Sequence, residues 1–209
     1  MPYDPSAPLE AQIHTSVASS LKNLRHDPDD DSNSYVDCLL LHSPLPTIEQ
    51  TLQAWKILES YVPDKIKTLG ISNTTLQVLQ VIYESSIIKP SVVQNRFYPQ
   101  TRYDVPLRAF CNQHGITYQS FWTLTGNPRL LNSDAVVKLT SSADVSRAVA
   151  LYALVMDQGV MVLNGTTTAE HMDEDFTGIQ RVREWTKSHE RDWAQLSGAF
   201  GISIRPQRV

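Results

Sequence analysis

Glycine is scarce, with 8 in 209 residues. No glycine-rich turn follows an early apolar run, which excludes the dinucleotide fingerprint of an open, doubly wound sheet. The 2 cysteines cannot form a disulfide framework in a chain of this size. Cys38 falls in a predicted strand and Cys111 in a predicted helix, so both read as buried thiols of a reducing compartment. No apolar run approaches the ~20 residues of a membrane span. The N-terminal "MPYDPSAPLE" lacks the basic-then-apolar order of a secretory signal. Lys and Arg total 18 against 22 Asp and Glu, for a net charge of -4. They form no cluster, which sets aside nucleic acid and anionic membranes as partners. The 6 histidines show neither HxxxH nor HExxH spacing, and the acidic stretch 27–31 has no EF-hand glycine or terminal glutamate. The expectation is a soluble, cytoplasmic protein with no metal site and a single domain over residues 1–209.

What the chain does have is alternation. An apolar stripe of Leu9, Ile13, Val17, Leu21 and Leu24 predicts a first helix. "YVDCLLLH" follows as a continuous apolar run, the signature of a strand covered on both faces. The next helix carries Thr47 and Gln50 at capping-box spacing, with Ile48, Leu52, Trp55 and Leu58 on its buried side. "IKTLGISN", "PSVVQNRF", "ITYQSFWTL" and "VMVLNGT" read as four further strands. The helices between them are "TTLQVLQVIYESS", "VPLRAFCNQHG" and "SRAVALYALVMDQG", and "TTAEHMDEDFTGIQRVREW" follows the last strand. Residues 183–209 read as a C-terminal tail without an assigned structure. About five βα units in succession imply a parallel sheet, because each crossover helix returns the chain to start the next strand in the same direction.

The strands share one feature: each ends in polar residues. In parallel α/β folds the loops at the carboxyl ends of strands gather functional groups. His42, Ser72, Asn73, Gln94, Asn95, Thr123 and Asn164 all fall at such ends. Any one of them has a plain reading as a helix cap or loop hydrogen bond; Ser72 and Asn73, for instance, suit the start of the helix at Thr74. Phe97, Tyr98, Tyr103, Phe121 and Trp122 cluster in the same part of the sequence, as pocket walls or as core.

The segments "YVDCLLLHSP", "KTLGISN", "KPSVVQNRFYP", "HGITYQSFWTLTGNP" and "GVMVLNGTTTAEHMDEDF" resemble the aldo-keto reductases in order and spacing. Among these they are most similar to a fungal branch, over about residues 2–182. The resemblance implies a (β/α)8 TIM barrel, here incomplete or truncated to about five parallel βα units. It also implies a nicotinamide cofactor, NADP or NAD, and a small carbonyl or alcohol substrate. By position, His42 matches the active-site histidine that orients the substrate carbonyl. Ser72, Asn73 and Gln94 match the groups that hold the nicotinamide carboxamide, and Phe121 the aromatic residue stacked on its ring. Leu124 lies in the segment that covers the pyrophosphate. Gly165 stands where the family commonly has lysine, Thr166 where it has serine, and His171 where an arginine pairs with the 2'-phosphate.

The family's catalytic tyrosine, and the aspartate and lysine that tune it, belong upstream of "PYDPSAPLE", and no residue of this sequence matches them. An aldo-keto reductase-like oxidoreductase is therefore weighed against two alternatives. One is a redox-inactive isomerase or cyclase acting through His42, with Arg96 or Tyr98; the other is a non-catalytic, truncated paralogue. A partial barrel would also leave the apolar strand "VDCLLLH" at an edge. The N-terminal segment or a second copy, forming a homodimer, is expected to cover it.

Overall fold

The computed structural model describes Asp4, residues 6–25, Asp27 and residues 34–200. Most of the acidic stretch, and the end of the C-terminal tail, lie outside the described residues. Two compact units divide the chain, Met1–Gln94 and Asn95–Val209.

In the first unit, α1 (Leu9–Asn23) starts directly after Pro8 and buries Val17. Leu24, which the apolar stripe includes, is 61% exposed because the helix ends one residue before it. β1 (Val36–Leu41) and β2 (Ile66–Ser72) are parallel, with Leu40 opposite Gly70 and Leu41 opposite Ile71. β3 (Val92–Arg96) adds to β2, placing Ser72 beside Gln94. Gly70 is required by close approach: a Cβ there would lie 2.3 Å from Leu40 Cδ2 and 2.6 Å from the Val92 carbonyl oxygen. α2 (Ile48–Glu59) carries the expected reciprocal capping box between Thr47 and Gln50. It buries Trp55, whose indole N–H donates to the Ile88 carbonyl at 3.0 Å. α3 (Leu76–Ser85) completes the unit.

The second unit takes up the end of β3 and continues through a tight turn segment, Pro99–Asp104, left-handed at Arg102, Tyr103 and Asp104, into α4 (Val105–Gln113). Gly115, at φ 68°, turns the chain into β4 (Thr117–Phe121). α5 (Pro128–Leu131), α6 (Asp134–Ala143) and α7 (Arg147–Asp157) follow. The sequence reading assigned nothing to α5 and α6, although Ala135, Val136, Leu139 and Ala143 bury at helical spacing. α7 buries seven consecutive residues from Val149 to Val155, so it has no solvent side over that stretch.

Gly159, at φ 76°, leads into β5 (Val160–Val162), parallel to β4 with Ser120 opposite Val162. α8 (Ala169–Ser188) packs closely on α7: a Cβ on Gly178 would come within 2.9 Å of the Val149 methyls. α9 (Glu190–Ala199) gives helical structure to a segment left unassigned from sequence. β1, β2 and β3 are parallel to one another, and β4 is parallel to β5, as the alternation implied. No helix among the described residues is long and apolar enough to cross a membrane.

A buried polar network stiffens the second unit. Asp104 accepts from Asn95 Nδ2 at 2.8 Å and from the Tyr118 hydroxyl at 2.9 Å. Arg108, 2% exposed, donates to the carbonyls of Tyr103 and Gln158, both at 3.3 Å. Burial, reinforced by Asp104, pushes the Cys111 thiol up to about 12 and holds the Tyr118 phenol well above its ordinary value.

Candidate functional site

The end of the first unit's ladder carries a connected polar set. Ser72, the last residue of β2, is 3% exposed, and its hydroxyl donates to the Gln94 carbonyl at 2.7 Å. Asn73 follows at φ 51°, a left-handed conformation that asparagine tolerates better than most residues. This turn lets the Asn73 backbone N–H reach the same Gln94 carbonyl at 3.0 Å. The Asn73 amide nitrogen donates to the His42 carbonyl at 2.9 Å and to the Ser72 hydroxyl at 3.1 Å. Both of its hydrogens are thus engaged, and the Oδ1 acceptor remains on an exposed residue.

These bonds tie the ends of β1, β2 and β3 together, bringing His42, Ser72, Asn73 and Gln94 into one group. Neither Ser72 nor Asn73 caps α3. That role belongs to Thr75, whose hydroxyl accepts from the Val78 N–H, so the capping reading of the pair gives way.

His42 stands one residue beyond β1 with an exposed side chain. It borders a groove of about 510 Å³ beside β1, walled by Leu9, Ile13 and Val17 of α1 and by Leu39 and Leu41. An imidazole at the rim of an apolar groove can donate to, or accept from, a ligand lodged there. Cys38, expected buried, is only half-buried.

In the second unit, Phe121 closes β4, and its carbonyl accepts from the Phe97 N–H at 3.0 Å. The loop after it is held from beneath. The Asn127 amide donates to the Phe97 and Thr123 carbonyls at 2.7 and 2.9 Å, and the Ser120 and Thr123 hydroxyls meet at 2.8 Å. Leu124 is half-buried in this loop, its carbonyl accepting from the Asn127 N–H. Thr123 and Asn95, 1% and 6% exposed, are structural: their polar atoms bond within the unit, Asn95 to Asp104. Asn164, after β5, donates to Asp175 of α8. Gly165 is exposed with open space around it, and the half-buried Thr166 bonds Thr168 and His171.

The aromatic group divides in two. Phe97 is fully buried against Tyr103, with centroids 5.1 Å apart. Tyr98, Phe121 and Trp122 instead surround the guanidinium of Arg96, at 5.3, 5.9 and 4.0 Å from its carbon to their ring centres. An arginine two residues before a tyrosine on a strand end was the available sequence signal, since such residues share a side of the strand.

A family model described as the aldo/keto reductase family matches residues 6–205. Among curated proteins, an NAD/NADP-dependent indole-3-acetaldehyde reductase of Schizosaccharomyces pombe is 29% identical over 150 residues, 67% of this chain and 52% of that protein. A glycerol 2-dehydrogenase (NADP(+)) of Hypocrea jecorina is 24% identical, over 93% of this chain and 70% of its own length. The chain spans about half the length of the curated relatives it matches, 58% and 52% of two of them. Among solved structures, an aldo/keto reductase of Brucella melitensis superposes with a TM-score of 0.68 at 21% identity, covering 85% of this chain and 68% of that one. A Bombyx mori aldo-keto reductase in complex with NADP gives 0.66 at 18% identity, with 84% and 63% covered.

Proposed function

The chain belongs to the aldo/keto reductase family, and from that premise we propose that it serves in NAD(P)H-dependent interconversion of a carbonyl compound and its alcohol. Its five βα units are read as part of a (β/α)8 barrel. The observation that carries the reading is the bonded set of Ser72, Asn73 and Gln94 at adjoining strand ends. A nicotinamide carboxamide both donates and accepts, and this set matches it. Asn73 Oδ1 accepts, the Gln94 amide does both, and the Ser72 hydroxyl holds the Asn73 amide in place. The Phe121 ring is read as the stacking surface for nicotinamide, and Leu124 as cover for the pyrophosphate. The cofactor, when bound, supplies the hydride.

His42 is assigned to the substrate oxygen. Its imidazole N–H orients and polarises a carbonyl, while the fixed carbonyl of its own backbone, held by Asn73, sets where the ring emerges. Gly165 and His171 offer a 2'-phosphate no permanent positive charge, so the site favours NADP over NAD less than a lysine and arginine would. A second reading, proton transfer without redox chemistry, draws on the exposed His42 ring at an apolar groove.

Titrating the purified chain with NADPH and with NADH, followed by fluorescence, tests the reductase reading. Saturable binding of either that weakens in Asn73→Ala and Gln94→Ala is the expected result. A folded chain that binds neither would overturn it and leave the His42 reading.

A further inference from the structure

The second unit contains two arginines in contrasting states. Arg108 is buried and does what a structural arginine does: it donates to two backbone carbonyls and lies in the field of Asp104. The Nε of each arginine is shut off from solvent with no hydrogen-bond acceptor. Unlike Arg108, Arg96 has no carbonyl on its terminal nitrogens and no carboxylate partner among the described residues.

A buried N–H left unmatched costs on the order of 1–3 kcal/mol. A second cost falls at the same point, because Trp122 sits at φ 59° with 54% of its surface exposed; the left-handed conformation costs a bulky residue roughly 1–2 kcal/mol. That strained turn is what lays the indole 4.0 Å from the guanidinium carbon. It is fixed by Asn127 and by Gly126, whose N–H donates to the Trp122 carbonyl at 2.8 Å. A Cβ at Gly126 would come 2.8 Å from that same oxygen. The loop is thus built to hold an aromatic wall against a cation that has no counter-ion.

Aromatic walls hold a guanidinium by its faces and leave its N–H edges for an acceptor. A planar fork of N–H groups matches a carboxylate, two bonds to two oxygens and one charge to one charge. We propose that Arg96 receives the carboxylate of a small oxo acid or hydroxy acid. The words oxo acid rest on the reductase reading above; the carboxylate site itself rests only on the surroundings of Arg96. Phe121, assigned above to the nicotinamide ring, is one of the three walls.

The test is made on the full chain without cofactor, so failure of the cofactor titration leaves it untouched. Pyruvate, its uncharged amide and inorganic pyrophosphate are titrated separately while the 15N-labelled arginine Nε–H signals are recorded by NMR. Saturable displacement of one arginine Nε–H signal by pyruvate, with the amide at least tenfold weaker, is expected. Arg96→Met, which keeps the apolar stem between the rings, should remove that signal and weaken pyruvate tenfold or more. Displacement by pyrophosphate alone would overturn the proposal in favour of a phosphate site. No displacement in the folded wild-type chain would overturn it without recourse to any variant, as would equal pyruvate affinity in a folded Arg96→Met.

Discussion

The ends of β1 to β3 in the first unit and the region around β4 in the second handle polar residues in opposite ways. At Ser72 and Asn73 the hydrogen bonds bind strand ends to one another and still leave acceptors on or near the surface. Around β4 the polar side chains of Asn95, Thr123 and Tyr118 are drawn inward and satisfied within the unit. The surface there is left to Arg96 and its aromatic walls. A polar residue at a strand end therefore carries no fixed meaning. Its role depends on which side of the strand it occupies and on whether a buried partner waits there.

The largest effect should come from breaking the inward network. Asp104→Ala removes the acceptor that the Asn95 amide and the Tyr118 hydroxyl share beside the buried Arg108, with an expected loss of about 3–5 kcal/mol in urea unfolding. Alkaline titration reads the same network more gently. An unfolded thiol ionises near about 8.5, whereas the folded Cys111 keeps its proton up to about 12. The unfolded chain then binds fewer protons over that interval, so stability is full below it and falls as pH rises through it. Cys111→Ala should make the alkaline decline in urea midpoint shallower.

The outward-facing set should respond in binding rather than stability. Asn73→Ala is expected to weaken NADPH and NADH about tenfold, a change of about 1.4 kcal/mol. Asn73→Gly, which suits φ 51°, should weaken them as much while restoring the unfolding midpoint toward wild type. If Asn73→Gly bound normally, the amide would have no part in the site. The smallest effect is a gain. Gly165→Lys, entering open space, should raise NADPH affinity relative to NADH by about threefold, measured by paired titrations, since an exposed ion pair contributes only ~0.2–1 kcal/mol.

Much of this was legible in the order of apolar and polar residues. "YVDCLLLH" and "PSVVQNRF" are strands, as their β-branched and aliphatic content implied, but cover on both faces did not follow: β1 has no fully buried residue and β3 alternates half-buried with buried positions. The capping box at Thr47 and Gln50 formed as its spacing implied. α5 and α6 were not legible because turn-like "TGNPRLLNSD" masks the helix that follows it. The C-terminal helices α8 and α9 are polar over most of their length, with few buried positions to set a period.

The sequence by itself determined the alternating plan, the parallel sense of the strands and the polar character of their ends, since these follow from periodicity and crossover length. Tertiary structure alone decided which of those polar ends stay available. Whether a side chain points at a carbonyl of the neighbouring strand or at solvent depends on register, and register is settled by packing between strands distant in the chain. That is why Thr123 and Asn95 became internal struts, why Thr75 took the helix cap from Ser72 and Asn73, and why Arg96 was left facing aromatic rings with no acceptor of its own.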